Sequence, residues 1–127
     1  MRLPKNFDSE VTYYLAGPMS GYPDFNFPAF EAAQSALLEC GIDVESPHTL
    51  DGQESGLTGE ALWKTMMRSA LKMLLRCDGI ILLKGWTDSR GALVEYNIAA
   101  ALKMPVYFID GKYVVAMHND ELGDRVP

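Results

Sequence analysis

The run Gly79-Ile80-Ile81-Leu82-Leu83 constrains the fold more than any other stretch of the chain. It is apolar without alternation, the pattern of a strand buried on both faces, and such strands belong to parallel sheets covered by helices. A polar loop follows, and then small and apolar residues recur at helical spacing from about Arg90 to Lys103. Strand, loop and helix in that order form one βα unit.

The same alternation is legible on either side. Val11 to Ala16 is β-prone and is stopped by Gly17-Pro18. Phe27, Phe30, Ala33, Ala36 and Leu37 keep near helical period up to the stop signal Cys40-Gly41, and Ile42 to Glu45 reads as a short second strand. After a glycine-containing loop from Asp51 to Gly59, Thr58 is placed to cap a helix whose apolar stripe (Leu62, Met66, Leu71, Leu74, Leu75) reaches about Arg76. Pro105 to Ile109 supplies a fourth strand, and Tyr113-Val114-Val115 a short edge strand before an acidic, frayed end. The pattern predicts one α/β domain, a Rossmann-like doubly wound sheet of four or five mostly parallel strands. Its core is expected over about residues 11–110, with 1–10 and 117–127 peripheral.

A length of 127 residues suits a single domain with a real core. The net charge of −6 argues against a nucleic acid polymer as partner, because a polyphosphate needs a basic face. No apolar run approaches membrane-spanning length, and Met1-Arg2-Leu3-Pro4-Lys5-Asn6 lacks the apolar core of a secretion signal, so no membrane partner and a cytoplasmic location are expected. Cys40 and Cys77 sit among apolar neighbours as small buried hydrophobes, and His48 and His118 are far apart in sequence. Neither a disulfide, a metal site nor an organic cofactor is expected.

Ligands of such sheets collect at the carboxyl ends of the strands. The long polar loops after Ala16 and after Leu83 both leave those ends. Glu95 lies one to two turns into the helix that follows the second of them, and its neighbours at three and four residues are Gly91, Ala92, Ile98 and Ala99. An acid on that stripe faces the protein, where an unpaired charge is costly. It is either a functional carboxylate or a helix glutamate that reaches outward to water or to an arginine. The dinucleotide fingerprint, the Walker loop and the hydrolase nucleophile elbow are all missing from the sequence.

Tyr14-Leu15-Ala16-Gly17-Pro18-Met19-Ser20-Gly21, Cys77-Asp78, Gly85-Trp86 and Ser89-x-Gly91-Ala92-x-x-Glu95 resemble the nucleoside 2-deoxyribosyltransferase superfamily. Within it they are most similar to a phage- and prophage-borne branch and to the 2'-deoxynucleoside 5'-monophosphate N-glycosidases. The likeness spans roughly Thr12 to Ile109. It implies that Glu95 is a nucleophile forming a glycosyl ester with the sugar, and that Tyr14 orients it, with Tyr13 competing for that role. It implies that Ser89, with the backbone N–H groups of Gly91 and Ala92, takes a 5'-phosphate. Gly17, Pro18, Met19, Ser20 and Gly21 would approach the sugar or phosphate, with Arg68 and Arg90 as candidate cations. Trp86 either stacks on the base or caps the core. Asp78, at the wrong end of the sheet, is structural. The ligand would be a small-molecule nucleoside or nucleotide, and the protein a homo-oligomer, dimeric or larger, with the helix Leu62 to Met73 as an interface.

One departure stands out. Members commonly carry an Asp eight residues before the Asp of Cys77-Asp78, where it handles the proton on the departing base; here that position is Ala70. Glu60, Asp24 or a water are the substitutes within reach of the sequence. The alternative to an N-glycosidase or deoxyribosyltransferase is therefore a non-catalytic nucleotide-binding protein, a sensor or scavenger, on the same fold.

Overall fold

The computed structural model describes residues 1–50 and 56–117. Expectations for Asp51 to Ser55, for His118 and for the acidic end lie outside the described residues. The order along the chain is β1 (Thr12–Ala16), α1 (Phe27–Glu39), β2 (Asp43–Glu45), α2 (Gly59–Leu75), β3 (Gly79–Leu82), α3 (Arg90–Ala101), β4 (Val106–Asp110) and β5 (Tyr113–Ala116). The five strands form one sheet in the order β2-β1-β3-β4-β5, parallel throughout except for the antiparallel β4–β5 pair. This is the single α/β domain expected, and α2 begins at Gly59 with Thr58 in the cap position but without a side-chain cap bond.

The period-two alternation of strands decides which helix each residue meets. Tyr14, Ala16, Ile80, Leu82 and Val106 pack with Ala70, Met73 and Leu74 of α2 and Ala92 and Ala99 of α3. Tyr13, Leu15, Ile81 and Leu83 pack instead with Phe30, Ala33 and Leu37 of α1. All four residues of β3 are buried, as its unalternating sequence requires. Gly79 is small because Tyr13 crosses above it: a Cβ there would lie 2.6 Å from the Tyr13 ring. The segment before β1 runs along the sheet's outer edge, where the Arg2 N–H donates to the Lys112 carbonyl (2.6 Å) and the Val114 N–H to the Arg2 carbonyl (2.8 Å). It also reaches inward, with Phe7 stacked 4.8 Å from Tyr13.

The chain leaves β1 toward β2 on one side and returns through α2 to β3 on the other. The strand order therefore switches between β1 and β3, and a crevice opens beyond their carboxyl ends.

Candidate active site

A cavity of about 580 Å³ occupies that crevice, within the range of small-molecule sites. Its wall comes from four places: Gly17 to Ser20 after β1, Pro47 and Leu50 after β2, the cavity face of α2, and Asp88 to Ala92 with Glu95 at the start of α3. Gly17 is needed by packing, since a Cβ on it would meet the Leu83 Cβ at 2.9 Å. Both long loops flagged in the sequence therefore do meet at one place.

Glu95 is 5% exposed and lines this cavity. The Tyr14 hydroxyl, fully buried, donates to Glu95 Oε2. Strand parity separates the two tyrosines: Tyr13 projects to the other face and donates to the Asp8 carbonyl at 2.7 Å. Burial pushes the Glu95 carboxyl up to about 8, and the Tyr14 hydrogen bond opposes that rise. Burial also raises Tyr14 well above its ordinary value, so it remains a donor across the neutral range. The result is a desolvated carboxyl held in one orientation by a phenol, with its ionisation moved well above the ordinary carboxylate range.

Ser89 is the N-cap of α3, and its Oγ accepts from the Ala92 N–H at 3.2 Å. Ser89, Gly91 and Ala92 all line the cavity, which brings a helix N-terminus to its edge. Arg90 lines it too, but its guanidinium is engaged: Nη1 and Nη2 each donate to a Glu60 carboxylate oxygen at 2.9 Å, and Cζ lies 3.6 Å from the centre of the Trp63 ring. Arg68 is exposed and does not line the cavity.

Two expected site residues stand elsewhere. Trp86 is not part of the cavity wall; its ring packs 4.9 Å from Tyr96 against the buried cluster, the core-capping alternative. Gly21 also lies outside the wall, and its φ of +84° marks it as a turn residue instead. The helix α2 also contributes to the cavity wall, through Leu62, Trp63, Met66, Met67 and Ala70. Ala70 is buried on that wall. Among the described residues, Glu95 and Asp88 are the acids on the cavity surface, while Glu60 is held by Arg90 and Asp24 is exposed outside the wall. Asp78 sits at the opposite end of β3, where its Oδ2 accepts from the Thr12 N–H at 3.1 Å. Both cysteines are free thiols, and burial raises Cys77 to about 12, leaving it inert. Among the described residues, no group of three or more His, Cys, Asp or Glu side chains is placed to hold a metal ion.

The model of a family described as a domain of unknown function, DUF4406, matches residues 11–108. The chain belongs to the DUF4406 family. Its fold is that of a 2-deoxyribosyltransferase from Bacillus psychrosaccharolyticus, with a TM-score of 0.61 at 19% identity over 76% of this chain and 70% of that one. A conserved protein from Enterococcus faecalis V583 superposes with a TM-score of 0.51 at 23% identity, over 76% of this chain and 61% of that one. At these identities the likeness is one of fold. No curated protein matches the sequence. Among the described residues of this DUF4406 domain, no helix is long and apolar enough to cross a membrane.

Sequence reasoning missed two features of the DUF4406 site. Tyr22 and Phe25 line the cavity, and they sit on a backbone in which Asp24, Phe25 and Asn26 have φ of 52°, 53° and 62°. Three successive left-handed residues without glycine have no sequence signature beyond the tolerance of Asp and Asn for that region. The Glu60–Arg90–Trp63 group was equally hidden, because Glu60 and Arg90 are 30 residues apart.

Proposed function

We propose that the protein cleaves the N-glycosidic bond of a 2'-deoxynucleoside, preferentially its 5'-monophosphate, with Glu95 as nucleophile. The observation that carries this reading is the buried Glu95–Tyr14 pair opening onto a cavity at the switch point of the sheet. A glutamate this desolvated and this firmly oriented has little structural purpose, and its environment is the kind that tunes a reacting group. The Glu95 carboxylate oxygen forms a bond to the anomeric carbon as the carbon–nitrogen bond breaks, and the bonding pair leaves with the base. Water, or a second base, then attacks the same carbon and gives up a proton, which balances the one the departed base takes up; the ester bond breaks and the carboxylate is regenerated with net retention. Tyr14 fixes the attacking oxygen's direction throughout. Ser89 and the N–H groups at the start of α3 would receive the 5'-phosphate, where the helix dipole favours negative charge.

The departing base must still acquire a proton, and Ala70 on the cavity wall supplies none. That observation favours a second reading, a protein that binds the nucleotide without cleaving it. Chromatography for free base, run beside calorimetry on a panel of 2'-deoxynucleoside 5'-monophosphates, separates the two. Base release that disappears in Glu95→Gln, with nucleotide binding retained, supports cleavage. Tight binding with no base released at high protein and long times supports the binding protein. Normal turnover by Glu95→Gln would remove Glu95 as nucleophile. No step as written uses a metal, so EDTA should leave the rate of base release unchanged.

A further inference from the structure

We infer that Phe25 is the residue on which the ligand's heteroaromatic base stacks, and that the left-handed turn Asp24–Asn26 exists to hold its ring in the cavity. The inference rests on the N-glycoside reading above and deepens it by naming the specificity-determining side chain. Phe25 lines the cavity yet is 46% exposed, and its ring meets Phe27 only loosely, with centroids 6.1 Å apart. A large apolar ring so placed gains little from folding. Its backbone is unfavourable as well, because non-glycine residues resist the left-handed region and three in succession compound the effect.

Such strain persists only where the surroundings enforce it. Here they do: Asn26 Nδ2 donates to the Pro18 carbonyl at 2.9 Å, the Phe25 N–H to the Tyr22 carbonyl at 3.0 Å, and the Tyr22 N–H to the Met19 carbonyl at 3.2 Å. The Tyr22 hydroxyl lies over Gly85, 2.8 Å from where a Cβ would stand. The turn is thus fastened to the same Pro18 and Met19 that line the site. An exposed aromatic face, held rigidly at a cavity wall against its own backbone preference, is the arrangement that stacks a planar ring at low entropic cost.

The test uses the full-length chain carrying Glu95→Gln, which prevents turnover, and two probes. 2'-Deoxyadenosine 5'-monophosphate carries a base; 2-deoxyribose 5-phosphate offers the same sugar and phosphate without one. Phe25→Ala should weaken the nucleotide by about five- to a hundredfold, as loss of a base–aromatic stack does. It should leave the sugar phosphate within about twofold, and Phe25→Trp should hold the nucleotide's affinity. Thermal melts of each variant confirm that the fold is retained. Equal losses for both probes, or none, would overturn the inference while leaving the glycosidase reading intact. A change in sedimentation with unchanged affinities would overturn it too, by making the ring a contact between copies of the chain. If the protein with Phe25 intact binds neither probe, the reading of the site fails and the inference falls with it.

Discussion

Glu95 and Tyr14 form a pair whose two members pull in opposite directions. Burial favours the protonated acid and the phenol's hydrogen bond favours the carboxylate, with a net value of about 8. In the proposed reaction the carboxylate is the attacking form, so kcat/KM for base release should climb with pH and level off above about 8. Tyr14→Phe removes the opposing hydrogen bond and should carry that limb to higher pH. At a fixed pH below the limb, each pH unit of displacement lowers the rate about tenfold. A profile unchanged in Tyr14→Phe would show that the hydrogen bond does not govern the acid. Ala70 offers the complementary experiment. If it fills the place of a lost proton donor, Ala70→Asp should raise base release by about a hundredfold or more, with a gain that fades at higher pH as the added acid ionises. A folded Ala70→Asp protein with no gain on any deoxynucleotide would leave Ala70 as packing.

At the level of elements, β1 and β3 set the site because their parity and register are fixed by side chains. Tyr13 pairs with Gly79 and Tyr14 with Ile80, so the missing side chain at Gly79 is what allows Tyr13 to cross the sheet. Gly79→Ala should cost about 1–3 kcal/mol in urea unfolding through overpacking against the Tyr13 ring, and a neutral result would mean that the ring yields. The strands and α3 were readable because their signals are local: an unalternating apolar run, a serine cap, small residues around Glu95. The long loops announced themselves by length and composition. Other features depend on partners outside their own element and leave no local trace. The Asp24–Asn26 turn is held by Pro18, Arg90 by Glu60, and Trp86 by Tyr96. The apolar stripe of α2 was legible, but that Leu62 and Met66 face a cavity depends on where β1 and α3 stand. Strand order was equally unreadable, since an apolar run shows that a strand is covered on both faces and not which strands lie beside it.

For the molecule as a whole, the buried acid makes stability depend on pH. Its value is about 8 in the fold against 4.5 when unperturbed, so the native state holds a proton that the unfolded chain releases first. The contribution is fully present below about pH 4.5 and is lost as pH rises through about 8. Glu95→Gln stays neutral and has no such slope. The variant should therefore gain on the parent between those limits, by a few kcal/mol at most in urea titrations, and parallel profiles would contradict the assignment. The chain's two tryptophans, Trp63 and Trp86, stand in unlike surroundings. Trp86 rests on Tyr96, while Trp63 is part of the cavity wall with a guanidinium against its face. Replacing Trp86 by Phe would leave a single indole emitter at the ligand's doorstep. The protein would then report its own occupancy as a change in fluorescence colour and brightness, without a label and before any bond is broken.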